Sequence, residues 1–247
     1  MRHCDFGRVL LFTHDWLPAV FLPGLDIVEI EPLHSDAAYS HFVMRQLPAY
    51  VRTSHVLLTR WDGFVAHPQA WCDEFLAYDY VGAVWPDQPE HLSVGSGGFS
   101  LRSRRFMLAG TDLRIADGHP EDAVLCRQQR HFLEQTHGVS FAPPRLARRF
   151  AYARESPKGL TFGFHGPDNL PDVLDEPTLQ EWLHRLPDVF FLGDDARRLA
   201  RALLVRGMAT AARQLLQRRQ AAGHAESGTR LLGAAASIMG LLSPRAG

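Results

Sequence analysis

Residues 55–63 have the sequence HVLLTRWDG, and this stretch decides the expected fold. The run from His55 to Trp61 is almost continuously apolar, which is typical of a central strand in a parallel sheet covered on both faces. Asp62 and Gly63 follow directly, so an acidic side chain stands where the strand ends. In open α/β sheets, ligands bind outside the carboxyl ends of the strands. Asp62 is therefore well placed to bind a ligand, although an ordinary Asp-Gly turn would have the same sequence.

Short apolar strands and amphipathic helices alternate on both sides of this stretch. Such alternation predicts an α/β fold in which helices cover a mixed, mostly parallel sheet. The expected strands are residues 8–12, 27–30, 55–61, 80–84, 140–142 and 160–164, and the expected helices are residues 36–50, 68–76, 118–136 and a helix from about 103. The predicted domain covers residues 1–190.

The chain changes character after this domain. Ala, Leu and Arg dominate residues 194–247, and their apolar residues recur at helical spacing, which predicts two or three helices packed as hairpins. Residues 196–247 carry nine arginines and one acidic residue, a net charge of +8. This helical extension is either a solvated basic face or a surface for an anionic or protein partner.

The composition excludes several classes of protein. A chain of 247 residues with 46% hydrophobic and 21% charged residues is an ordinary globular sequence, not a disordered or fibrous one. The longest uncharged apolar stretch, residues 231–242, is shorter than the roughly 20 residues of a membrane span. The three isolated cysteines exclude a disulfide framework. The sequence also lacks the basic stripe with interleaved aromatic residues that is typical of single-strand nucleic-acid binders, so we expect no nucleic-acid partner. We therefore predict a soluble, cytoplasmic protein.

The segment Gly95–Ser103, GSGGFSLRS, precedes a predicted helix. Its glycines allow backbone N–H groups to approach an anion or a sugar closely, and Arg102 supplies a positive charge nearby. The spacing matches neither the dinucleotide-binding fingerprint nor the phosphate-binding P-loop. The segment is therefore either a ligand-binding loop or a structural turn.

Other side chains could perform chemistry. Asp62 could hold a hard divalent cation, which prefers oxygen ligands, or belong to a plain Asp-Gly turn. Glu121 and Asp122 start a predicted helix, where they either complement the helix dipole or provide a general base. His165 is either a metal ligand or a polar loop residue, and Trp61 either a core residue or a ring that stacks on a sugar or base.

In their order along the chain, four segments resemble a family of uncharacterised bacterial domains, formally a domain of unknown function, related to GT-A-type glycosyltransferases. The segments are RWDGFVAHPQAWCDEFLAYDYVGAVWP (60–86), VGSGGFSLRSRRFM (94–107), PEDAVLC (120–126) and FGFHG (162–166). The resemblance covers roughly residues 8–170. It implies a GT-A-like, Rossmann-like three-layer sandwich, with the family's first strand and helix lying upstream of Met1 and with residues 194–247 as an α-helical appendage.

The resemblance also implies a metal-dependent glycosyltransferase that moves a sugar from a nucleotide-sugar donor to an acceptor hydroxyl. Asp62 and His165 match the residues that hold a divalent cation, manganese or magnesium, and Glu121 and Asp122 match the acidic pair that supplies the base. Residue 60 is arginine, so Asp62 does not belong to a full D-x-D motif. The predicted donor-binding residues are Gly95, Ser96, Gly97, Gly98, Phe99, Arg102 and Trp61.

Two other functions are compatible with the same residues. One is a non-catalytic or truncated homologue that binds a glycan or a protein, with residues 194–247 as the contact surface. The other is a hydrolase of nucleotide-sugar diphosphates, in which water takes the place of the acceptor. For a transferase, the acceptor could be a glycan, a protein or a small molecule.

Overall fold

The structure is a computed structural model that describes residues 4–223, and its mixed α/β class agrees with the class expected from the sequence. The strands are β1 (Val9–Thr13), β2 (Leu25–Glu29), β3 (His55–Thr59), β4 (Gly63–Val65), β5 (Tyr80–Gly82), β6 (Phe99–Ser103), β7 (Ala151–Tyr152) and β8 (Gly163–His165). The α-helices are α1 (Asp36–His41), α2 (Arg104–Ala109), α3 (Glu121–Ala123), α4 (Arg130–His137), α5 (Pro144–Phe150), α6 (Glu176–Arg185), α7 (Asp188–Leu192), α8 (Asp194–Val205) and α9 (Ala209–Ala221). Turns of π-helix extend α1 over Phe42–Gln46 and α3 over Val124–Gln128.

The strands form three small sheets instead of the single, mostly parallel sheet expected from the sequence. Strands β1 and β2 form a parallel pair, and β6 lies between β3 and β5, antiparallel to both. Strand β8 lies between β4, which is antiparallel to it, and β7, which is parallel. A strand covered on both faces is apolar whichever way its neighbours run, so the apolar run of β3 could not indicate their direction.

Strand β6 is the main element that the sequence did not predict. A loop running into a helix was expected over Gly95–Ser103, but only the glycine-bearing part is a loop, and Phe99–Ser103 is a fully buried central strand. Polar residues interrupt its apolar pattern and hid it. The helix does start as predicted, because the Ser103 hydroxyl caps α2 by accepting a 3.0 Å hydrogen bond from the Phe106 N–H. The expected strand 140–142 is a single bridge between Phe141 and Tyr80.

Helices cover both faces of the β3–β6–β5 sheet. Alternate residues of a strand point to opposite faces, and in β6 Phe99 and Leu101 pack in one hydrophobic cluster with residues of α5. A second cluster, on the other side, joins the α1 segment with α2, the α3 segment and α4. Ser100 and Arg102 alternate with these apolar residues along β6, so they point towards the second cluster.

The helices after residue 175 pack on the strand pair β7–β8. Their buried residues, including Leu199 and Leu203 of α8, belong to one cluster with Tyr152 of β7 and Phe164 of β8. A domain boundary near residue 190 stays a prediction.

The third helical stretch expected in the extension, around residues 231–238, lies outside the described residues. Within residues 4–223, no helix has the length and apolar character needed to cross a membrane.

Candidate functional site

The glycine pair Gly97–Gly98 touches both groups of residues that the sequence singled out. A Cβ atom built on Gly98 would lie 2.0 Å from Nε2 of His165, and one built on Gly97 would lie 2.8 Å from Oε1 of Glu121. Neither position has room for a side chain, so the backbone of this loop lies directly against His165 on one side and the Glu121–Asp122 pair on the other. The folded chain therefore brings the predicted metal-binding and acidic residues together around one loop.

A tight turn between β3 and β4 positions Asp62. The Gly63 N–H donates a 3.1 Å hydrogen bond to the Arg60 carbonyl, and the Arg60 N–H donates a 3.0 Å bond to the Gly98 carbonyl. Because Gly63 pairs with His165 in the β4–β8 register, the turn holds Asp62 beside the end of β8. Asp62 is thus both part of a turn and a buried carboxylate at the strand end.

Asp62 and His165 form a close pair with one unused carboxylate oxygen. Oδ2 of Asp62 lies 3.4 Å from Nε2 of His165, whereas the buried Oδ1 makes no hydrogen bond within the described residues. Burial by itself raises the pKa of Asp62, but the hydrogen bond and charge of His165, together with the charge of Arg60, lower it overall. Asp62 is therefore an ionised carboxylate with an unsatisfied oxygen.

Asp62 and His165 offer too few ligands for a metal site built only from protein side chains, but they suit a cation that also binds a phosphate ligand. Across residues 4–223, no group of three or more His, Cys, Asp or Glu side chains could hold a metal ion. Magnesium in phosphate-binding sites typically takes one or two protein carboxylates and completes its shell with phosphate oxygens and water. The unpaired oxygen of Asp62 and the imidazole nitrogen of His165 suit a cation held jointly with a bound phosphate ligand.

The side chains of Arg102 and Glu121 are buried in the protein interior and form an ion pair. Nη2 of Arg102 donates a 2.9 Å hydrogen bond to Oε1 of Glu121, and the side chains are 1% and 5% exposed. Nε of Arg102 donates a further 2.9 Å bond to the hydroxyl of Ser100. The sequence predicted a donor-binding Arg102 and a catalytic Glu121, but in this geometry each neutralises the other's buried charge.

Asp122 is the member of the acidic pair that keeps a partly exposed side chain. Its Oδ2 accepts a 2.8 Å hydrogen bond from the Gly97 N–H, and its Oδ1 accepts a 2.7 Å bond from the Ala123 N–H. Burial and the neighbouring charge of Glu121 raise the pKa of Asp122 in spite of these bonds. A fixed carboxylate with a raised pKa is suited to accept a proton.

Gly95, Ser96 and Phe99, which were also predicted to bind the donor, pack against the protein interior. A Cβ on Gly95 would lie 2.2 Å from the Trp85 ring, so that glycine allows the loop to pack flat on the indole. Ser96 is buried, and its carbonyl accepts a 3.1 Å hydrogen bond from the Tyr80 hydroxyl. Phe99 is 1% exposed in the core, where no ligand could reach its ring. Within the segment, Gly97 and Gly98 lie against the candidate site residues through their backbone, and Arg102 contacts Glu121 through its side chain.

The backbone of Trp61 lies in the turn that carries Asp62, but its ring packs outside the candidate site. Its centroid lies 5.8 Å from that of Phe190 and 6.2 Å from that of Trp182, so the ring contacts α6 and α7. It is 40% exposed and borders a pocket of about 230 Å³ that also includes Pro187 and Val189. The ring therefore contributes to a separate, mainly apolar pocket beside the turn that carries Asp62.

Tyr39 and Arg60 lie beside these residues, although no motif in the sequence indicates a role for them. The buried hydroxyl of Tyr39 makes no hydrogen bond within residues 4–223, and burial and the charge of Glu121 raise its pKa to about 12. The guanidinium carbon of Arg60 lies 5.4 Å from the centre of the Tyr39 ring. Tyr39 belongs to a helix from another part of the chain and carries no motif, so only the folded structure could identify it.

The comparisons with known proteins concern the same region. The family model described as a protein of unknown function (DUF5672) matches residues 25–165, from the start of β2 to His165 at the end of β8. No curated protein and no solved structure matches the chain. The matched range covers more than half of the chain and includes Asp62, Gly97–Gly98 and Asp122. The chain belongs to the DUF5672 family of proteins of unknown function.

Proposed function

We propose that this chain is a metal-dependent glycosyltransferase of GT-A-like architecture, which moves a sugar from a nucleotide-sugar donor to an acceptor hydroxyl. The observation that best supports the proposal is the contact of Gly97–Gly98 with His165 on one side and with the Glu121–Asp122 pair on the other. Direct transfer needs a group that stabilises the leaving diphosphate and a base that activates the attacking hydroxyl, both held at one place.

Asp62 and His165 would hold a divalent cation, manganese or magnesium, together with phosphate oxygens of the donor. When bound, such a cation neutralises the negative charge that develops on the leaving diphosphate. Asp62 would contribute the buried Oδ1 that has no hydrogen-bond partner within the described residues, and His165 would contribute Nε2, with the cation replacing the proton that this nitrogen shares with Oδ2 of Asp62. The missing Cβ atoms of Gly97 and Gly98 let the loop backbone pack directly against His165 and the acidic pair, which would hold both groups close to the donor.

Asp122 would accept the proton of the acceptor hydroxyl as that hydroxyl attacks the sugar. The N–H groups of Gly97 and Ala123 hold its carboxylate in one orientation, and its raised pKa makes it a stronger base than an ordinary aspartate. Glu121 is less suited to this role because its carboxylate is paired with buried Arg102. The acceptor hydroxyl would belong to a glycan, a protein or a small molecule, and a cytoplasmic location stays a prediction.

Calorimetric titration with uridine and guanosine diphosphates, with and without manganese, tests the proposal. We expect micromolar, manganese-dependent binding by the wild type and a loss of at least about tenfold in Asp62→Asn. Asp87→Asn is the matched control, because Asp87 is exposed in a loop and makes no contact with the site. A wild type that binds neither nucleotide in the presence of manganese would contradict the proposal.

Product analysis with nucleotide sugars then separates the three functions. A glycosylated acceptor supports the transferase. Release of free sugar at the same rate with and without acceptors indicates a nucleotide-sugar hydrolase with water as the acceptor. Binding without any turnover indicates a binding module, in which case deletion of residues 194–247 would abolish capture of a protein partner in a pull-down.

A further inference from the structure

Arg60 is an exposed cation beside the candidate cation site. Its backbone is anchored through the 3.0 Å hydrogen bond from its N–H to the Gly98 carbonyl, so the residue is held at the end of β3. Within residues 4–223, no carboxylate forms an ion pair with its guanidinium, whose carbon lies 5.4 Å from the centre of the Tyr39 ring. The side chain is therefore held near Asp62, and its N–H donors are not used by an acidic residue.

Tyr39 places a second unused donor in the same region. Its hydroxyl is buried and makes no hydrogen bond within the part of the chain that the structure describes. Buried polar groups are almost always satisfied, so an unsatisfied hydroxyl at a site is a donor that a ligand could use. Arg60 lies in the same tight turn as Asp62, and its guanidinium carbon lies 5.4 Å from the centre of the Tyr39 ring, so Arg60 links Tyr39 to the turn that carries Asp62.

We propose that Arg60 and Tyr39 form an anion-binding subsite that takes a phosphate group of the ligand next to Asp62. The planar guanidinium matches the spacing of phosphate oxygens and can donate two parallel hydrogen bonds, and the Tyr39 hydroxyl can donate a third. Packing on the Tyr39 ring restricts the Arg60 side chain, so less rotamer freedom is lost when the ligand binds.

This subsite changes the charge balance of the site. Arginine at position 60 makes the site two units more positive than a carboxylate there would, so less of the ligand's negative charge is left for a divalent cation to neutralise. The identification of the anion as the diphosphate of a sugar nucleotide rests on the proposed function. The expected property is that a diphosphate keeps part of its affinity when divalent cations are removed.

Titration with inorganic pyrophosphate tests the subsite, once with manganese and once with EDTA. We expect the wild type to bind pyrophosphate in EDTA and Arg60→Gln to bind it about tenfold more weakly in both conditions, since charge-assisted hydrogen bonds are lost. Tyr39→Phe should weaken binding severalfold. Binding by the wild type should weaken with added salt more steeply than binding by Arg60→Gln.

Arg201→Gln is the control, because Arg201 of α8 is also exposed and also has no acidic partner in residues 4–223. Circular dichroism of each variant verifies folding, which an exposed side chain such as Arg60 should not affect. Equal pyrophosphate affinity in the wild type and Arg60→Gln would overturn the subsite, and so would a wild type that binds no pyrophosphate in either condition.

The same titrations separate this inference from the proposed function. If Arg60→Gln binds like the wild type while nucleoside diphosphates still need manganese and Asp62, only the subsite is wrong. If Arg60 governs pyrophosphate binding but neither manganese nor Asp62→Asn changes nucleotide affinity, the subsite stands and the metal-dependent transferase does not.

Discussion

Arg102 and Glu121 form a buried ion pair, with Nη2 of the arginine 2.9 Å from Oε1 of the glutamate. Arg102 comes from the central strand β6 and Glu121 from the first turn of α3, so the pair joins the sheet to the helix that carries the acidic residues. Because Glu121 points inward to this arginine, its neighbour Asp122 meets the Gly97 N–H at the partly exposed side of the helix. The ion pair thereby orients the carboxylate that we propose as the base.

Removing one partner of this ion pair should be costly. In Glu121→Ala the buried guanidinium of Arg102 loses its counter-charge, so we expect the free energy of unfolding to fall by about 3–5 kcal/mol in urea titrations. The double variant Arg102→Met/Glu121→Leu buries no charge and should recover most of that loss. A loss of less than about 1 kcal/mol in Glu121→Ala would show that the pair is not structural.

Asp122→Asn should stop the chemistry without stopping binding. The amide cannot take the acceptor proton, so the transfer rate should fall by about 10²–10⁴-fold. Nucleoside diphosphate affinity with manganese should stay within about twofold, because Asp122 is not among the cation ligands that we propose. The control is Asp87→Asn, which should keep full activity. Wild-type turnover by Asp122→Asn would refute the base assignment.

The raised pKa of Asp122 predicts that kcat/KM falls at low pH, which gives the pH profile an acid limb. The ionised carboxylate is the active form, so kcat/KM should be constant above this pKa and fall tenfold per unit of pH below it. Because burial and Glu121 raise the pKa, the fall should begin above the ordinary aspartate value of about 4. The residual rate of Asp122→Asn, followed over the same pH range, should lack this limb. A limb that persists unchanged in that variant belongs to another group.

Gly98→Ala should displace His165. The added Cβ would lie 2.0 Å from Nε2 of the imidazole, so the ring must move away from Asp62. We expect manganese-dependent nucleotide affinity to fall by about tenfold or more, as measured by calorimetry. Gly110→Ala is the control, since its new methyl group would be 3.4 Å from its nearest neighbour, Leu125. Full affinity in Gly98→Ala would mean that His165 is not a ligand.

Helix α8 should contribute to the stability of the strands that carry His165. Leu203 is completely buried in the cluster that contains Phe164 of β8, so Leu203→Ala should cost about 2–5 kcal/mol. Val205→Ala, on the same helix but 82% exposed, should change the free energy by less than about 0.5 kcal/mol. A single unfolding transition that shifts in Leu203→Ala indicates one cooperative unit. A separate transition for the helices would support the predicted boundary near residue 190.

Several elements were predictable because their signals are local. The apolar run of β3, the Ser103 cap of α2 and the amphipathic helix of α8 depend on neighbouring residues only, and all three lie close to their expected positions. Strand β6 was missed because Arg102 interrupts its apolar pattern, and the ion pair that makes a buried arginine acceptable involves a residue nineteen positions away. Strand directions were missed because burial on both faces looks the same in parallel and antiparallel sheets.

The sequence by itself determined the residue types that could hold a cation or accept a proton, the turn after β3 and the membership of the DUF5672 family. Only the tertiary structure decided which of these residues act together. It buried Glu121 against Arg102, left Asp122 partly exposed, and placed the guanidinium of Arg60 over the ring of Tyr39. The physical reason is that charge pairing, burial and unsatisfied hydrogen-bond donors depend on neighbours in space, which spacing along the chain does not specify.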